Sequence, residues 1–148
     1  MGKERIMMPL VRKKDWRACF AAEIDRIKRT PFAWGSHDCG PGLAANLVLA
    51  VTGVDCAAQF RGEYNDPLSG ARLMKDAGFD NLAEMVAAML PEYDHPSEAR
   101  IADVAAMKVD GVFGYALGVI DYERVFVLTE TGIGTVDRSE IARAFKVG

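Results

Sequence analysis

Trp34-Gly35-Ser36-His37-Asp38-Cys39 is the stretch on which the fold turns, because it carries a cysteine out of a glycine turn onto the first turn of an apolar helix. From Cys39 onward, Leu43, Leu47, Val48 and Val51 recur at helical spacing, and Gly53 supplies a left-handed stop. So apolar a helix is expected to be buried. Free amides and the positive end of the helix dipole stabilise negative charge at such a start, so Cys39 is a candidate nucleophile with a lowered pKa. Asp38 is expected to cap the helix with its carboxylate.

Upstream, Asp15 reads as the N-cap of a helix whose inner face holds Trp16, Cys19, Phe20, Ile24 and Ile27, with Thr30-Pro31 ending it. Cys19 then serves packing. Residues 1–14 read as an N-terminal arm, with Arg12-Lys13-Lys14 solvated. Downstream, Cys56 falls in an irregular segment, 54–64, and also reads as packing. Two short helices are predicted over 68–77, ending at Gly78, and 82–90, ending at Pro91. Residues 92–100 form a polar loop holding His95.

After Arg100 the pattern changes to short β-rich runs at 104–107, 112–120, 124–129, 133–136 and 144–147. Helices first and strands second predict an α+β fold, with helices in the N-terminal two thirds packed on a small antiparallel sheet formed after Arg100.

The chain has 148 residues, 50% hydrophobic and 26% charged, which suits one globular domain over 1–148 able to fold without staples. Net charge is −3 with no basic stripe, so neither nucleic acid nor an anionic membrane is the expected partner. No apolar run is long enough for a membrane span, and the N-terminus lacks a signal-peptide pattern, which places synthesis in a cytoplasm. Three dispersed cysteines offer neither a disulfide framework nor zinc-ligand spacing. Neither a metal nor a cofactor is expected.

Phe32, Trp34, Gly35, Asp38 and Cys39 resemble the aromatic-Gly-Gly turn and Asp-Cys helix start of the NlpC-type, papain-like cysteine peptidases. Ala102-Asp103-Val104 resembles that family's Gly-Asp-Val strand entry. Ala116-Leu117-Gly118-Val119-Ile120 resembles its strand beginning His-Val-Gly-Ile, with Ala116 at the histidine position. Together with Arg143-Ala144-Phe145-Lys146-Val147, this string also resembles a branch encoded among the tail genes of long-tailed bacteriophages. The resemblance implies a reduced papain-like fold and a place in the virion tail, at the tail tip or baseplate hub, after synthesis in the host cytoplasm. Its partners would be other tail-tip or hub proteins, and peptidoglycan if the module is active.

A cysteine peptidase needs a base to take the thiol proton and return it to the leaving amine. Only His37 and His95 are available. His37, two residues before Cys39, reads as a solvated or capping loop residue. His95, in Tyr93-Asp94-His95-Pro96, would have to reach the thiol from across a groove. The expected function is therefore a structural tail component on a catalytically degenerate fold. The alternative is an active cysteine peptidase or amidase cutting peptidoglycan stem peptides, with Cys39 as nucleophile and His37 or His95 as base. A small-molecule thiol enzyme is a third reading with no cofactor motif behind it. Trp34 reads as a lid on the core, with a groove or partner surface as the alternative; Glu63, Tyr64 and Asp66 as a solvated loop, with carboxylates for a ligand or partner as the alternative; and Met74, Met85, Met89 and Met107 as core filling, with an adaptable interface as runner-up.

Overall fold

The computed structural model describes residues 10–148. Among the described residues, four α-helices precede a five-stranded antiparallel sheet, so the fold is α+β with its sheet after Arg100. The helices are α1 (Trp16–Lys28), α2 (Ala45–Thr52), α3 (Pro67–Asp76) and α4 (Leu82–Ala87). The strands are β1 (Val104–Lys108), β2 (Tyr115–Asp121), β3 (Arg124–Thr129), β4 (Gly132–Asp137) and β5 (Arg143–Phe145), in spatial order β4-β3-β2-β1-β5.

Alternation along the strands divides the core in two. Val104, Ala106, Leu117, Val119 and Phe145 face α1 and α2, where they meet Phe20, Ile24, Ile27, Leu43, Leu47 and Val51. Ala105, Met107, Ile120, Val125 and Ala144 point to the opposite face, which Ala99 and Ile141 cover. An eight-residue helix such as α2 is too short to persist alone, so it depends on this packing. Leu47, Val48 and Val51 are buried, each contributing about 1.5–3 kcal/mol relative to exposure. The seat of Cys39 is thus held by the sheet.

Local chemistry accounts for most boundaries. Asp66 accepts from Ser69 N–H at 2.7 Å to cap α3, and Asn81 accepts from Glu84 N–H at 2.9 Å to cap α4. Asp15 occupies the N-cap of α1, but its side chain makes no capping bond. The predicted helix over 82–90 is shorter because the Met89 and Leu90 amides both bond the Val86 carbonyl, tightening the chain into a turn. The predicted strand over 112–120 begins later, at Tyr115, because Val109 and Gly114 close a turn first.

Two expectations about the N-terminal arm change. Residues 1–9 lie outside the described residues, but 10–14 are docked: Leu10 packs on the core and Lys13 N–H donates to the Val51 carbonyl at 2.9 Å. Arg12 is not solvated. Its Nε donates to the Val147 carbonyl at 2.7 Å and its Nη2 to Asp103 at 3.1 Å, because fully buried Asp103 needs a compensating charge. Asp103 also accepts from the Val147 amide, the Arg100 amide and the Tyr93 hydroxyl at 2.9, 2.8 and 2.7 Å. Burial and this bond push the Tyr93 phenol up to about 12, so it stays a donor.

Ala102, just before Asp103, has φ +73, in the left-handed region that an L-residue enters at a cost of about 1–2 kcal/mol. That strain offsets what a buried methyl normally contributes. Ala102→Gly is expected to be neutral within about 0.5 kcal/mol, whereas Ala105→Gly, in regular strand, costs about 1.5 kcal/mol. Urea denaturation of the pair checks this, and equal losses would contradict it.

Candidate functional site

The segment after Asp38 does not start as an α-helix. Cys39–Ala44 form a π-helical turn that passes into α2, with Leu43 N–H bonded to the Asp38 carbonyl at 2.9 Å. Asp38 makes no capping bond; one of the two amides it could use is missing, since Pro41 at the third helical position has no N–H to give. Arg61 holds the turn from outside, donating to the Pro41 carbonyl at 2.8 Å while also bonding Asp55 and Asn46.

Asp38 turns instead toward the loops. It is 2% exposed, and its Oδ2 accepts from the Gly35 amide at 3.0 Å and from the Tyr64 hydroxyl. Oδ1 has no hydrogen-bond partner among the described residues. Tyr64 is therefore not a solvated loop residue. Desolvation and the Asp38 charge raise its pKa, so the phenol remains a proton donor.

Cys39 is half-buried and packs against the helix-facing core. Burial dominates its electrostatics and pushes the thiol up to about 11; the Leu117 backbone acts in the opposite direction, and the Asp38 charge adds to the rise. The expected lowered pKa is overturned, because apolar desolvation outweighs whatever the helix start offers. Relative to an ordinary value of 9.0, this leaves on the order of a hundredfold less thiolate at neutral pH. Iodoacetamide labelling followed by peptide mass spectrometry should find Cys39 on the order of a hundredfold slower in the folded chain than in urea at pH 7. The native state keeps its proton longer than the unfolded chain, so stability should fall as pH rises from 9.0 toward about 11. Faster labelling in the folded chain would mean an activated thiolate.

Neither imidazole is placed as a base. His37 is 4% exposed rather than solvated, and its ring lies against α1: burial lowers its pKa, while the Ile27 carbonyl raises it and the Arg26 charge lowers it further. Its Nε2 meets no partner at hydrogen-bond geometry among the described residues. Gly42 makes this possible, since a Cβ there would lie 2.5 Å from the His37 carbonyl carbon. His95 is exposed and caps a short turn, Pro96–Glu98, accepting from the Ser97 amide at 3.1 Å. That turn leads into Ala99, on the sheet face opposite the one Cys39 packs against.

Strand parity also changes the meaning of Ala116. It pairs with Met107, so it belongs to the face turned away from the helices, and the β2 side chain sharing a cavity wall with Cys39 is Leu117. The cavity, about 110 Å³, runs from Trp34, Asp38, Cys39 and Tyr64 to Met74 and Met85. Trp34 is stacked on Phe113 at 6.2 Å beside it. Met107 packs on the other sheet face. Cys56 lines the cavity and Cys19 is half-buried on α1.

The family model described as Domain of unknown function (DUF6950) matches residues 11–147. The chain belongs to this family. No curated protein matches it. The matched span takes in every residue of the candidate site described above, from Arg12 and its buried partner Asp103 to the Asp38–Cys39 turn and β2. Among the described residues no helix is long and apolar enough to cross a membrane.

The sequence missed Tyr64 and the cavity. The three methionines on α3, α4 and the turn after it are the available signal, since flexible thioethers suit walls that must adapt.

Proposed function

We propose that this chain is a structural, non-catalytic component of a bacteriophage tail tip or baseplate hub, built on a cysteine-peptidase-like fold and docked to neighbouring tail proteins. The observation that carries the non-catalytic part is the surroundings of Cys39. Its thiol faces a wall shared with Leu117, His37 lies against α1, and His95 is exposed on a turn that leads into Ala99 on the other sheet face. Without a base to take and return a proton, most acyl-transfer rate is lost. The peptidase-like ancestry is supported by a cysteine opening a buried helix against an antiparallel sheet, and by the left-handed Ala102 where the related pattern has glycine. The tail location rests on the sequence resemblance.

Mass spectrometry of purified particles of a phage encoding the chain should find it at a fixed, stoichiometric copy number. Cys39→Ala should leave infectious titre unchanged. Absence from the particles would remove the structural role, and release of stem peptides that is lost in Cys39→Ala would establish the peptidase instead.

A further inference from the structure

The cavity beside Cys39 has a chemistry of its own, independent of any role in a virion. Its wall is largely apolar and includes Cys56, Leu73, Met74, Met85, Val86 and Met89. Its volume of about 110 Å³ is of the same order as engineered apolar cavities, about 150 Å³, that take up benzene. The thioether side chains of its methionines can shift to fit a guest. Asp38 is also among the lining residues, with Oδ2 committed to Gly35 and Tyr64 and Oδ1 without a partner although the residue is 2% exposed.

A buried carboxylate oxygen left unbonded is costly, and a donor brought by a guest would relieve that cost. The number of donors matters. An ammonium carries three N–H groups, and Asp38 Oδ1 is the single unbonded buried side-chain oxygen among the described residues; the unmet donors would be desolvated in an apolar wall. A hydroxyl, an indole N–H or a secondary amide N–H brings one donor for one acceptor. The stacked rings of Trp34 and Phe113 add an aromatic surface suited to a flat guest.

We propose that this cavity binds a neutral, single-ring apolar molecule carrying one O–H or N–H group, seated among the methionines with its donor on Asp38 Oδ1. Nitrogen-15 NMR titrations of the full chain with phenol, benzene and benzylamine test the class directly. Phenol should give saturable shifts at the amides of Cys39, Tyr64 and Val86. Benzene should bind about tenfold more weakly for want of the hydrogen bond, and benzylamine should also bind more weakly than phenol. Asp38→Asn, which removes the charged acceptor and leaves only neutral hydrogen bonding, should narrow the phenol preference over benzene, and Val86→Phe should fill the cavity and abolish both. No saturation with phenol would overturn the proposal, as would equal affinity for benzene, tightest binding of benzylamine, or unchanged binding in folded Val86→Phe. If either variant fails to fold, the three-probe comparison on the unaltered chain decides.

Discussion

Replacing Asp103 with alanine is expected to remove about 3–5 kcal/mol of stability, a large share of the 5–15 kcal/mol typical of a folded domain. The side chain is fully buried and holds four donors at once: Arg12, Tyr93 and the amides of Arg100 and Val147. Deleting it strands a guanidinium that burial already disfavours, lowering the Arg12 pKa, and leaves the Val147 amide unbonded. Urea denaturation measures the loss. Pairing Asp103→Leu with Arg12→Met should recover part of it, because removing both charges leaves neither buried alone. Additive losses in the double variant would mean that the two residues are not coupled.

The second large effect is expected at Gly35. Its φ is +86, and a Cβ there would overlap the Tyr64 carbonyl oxygen and lie 3.0 Å from the Tyr64 carbonyl carbon. Gly35→Ala therefore combines backbone strain with a collision against main chain, and should cost more than about 3 kcal/mol. Gly62→Ala separates the two causes. Gly62 also has positive φ, +73, but nothing within 4 Å of its missing Cβ, so it should lose only the strain, about 1–2 kcal/mol. Because Gly35 N–H also donates to Asp38, its displacement should disturb Tyr64 and the cavity mouth, visible as shifted amide resonances there. Equal losses at the two glycines would mean that the collision with Tyr64 carries no weight.

Much of the fold is legible because it is written in local periodicity. The α1 pattern from Trp16, the β3 run from Arg124 to Thr129 and the stop at Gly53 depend on near neighbours, and the structure has them where the spacing puts them. What stayed hidden depends on distant neighbours. Arg12 and Asp103 are 91 positions apart and Tyr64 and Asp38 are 26 apart, so no window reveals either pair. One hint was present: Asp103 interrupts an otherwise apolar run, and a charge there requires a partner. The failure of Asp38 to cap was partly readable, from Pro41 at one of the positions whose amide a capping aspartate would use. The pKa of Cys39 was not, since it follows from apolar side chains brought from other helices and from β2.

The parity of β2 decides where an imidazole could meet the Cys39 sulfur. A histidine introduced at Ala116 would stand beside Met107 with the sheet between it and the sulfur, and no rotamer would bring it through. The same imidazole at Leu117 would enter the wall that Cys39 already shares. It would also bring polarity into the apolar pocket whose desolvation keeps the thiol protonated. An activated thiolate and a hydrophobic cavity are therefore competing uses of one position, and leucine there favours the second.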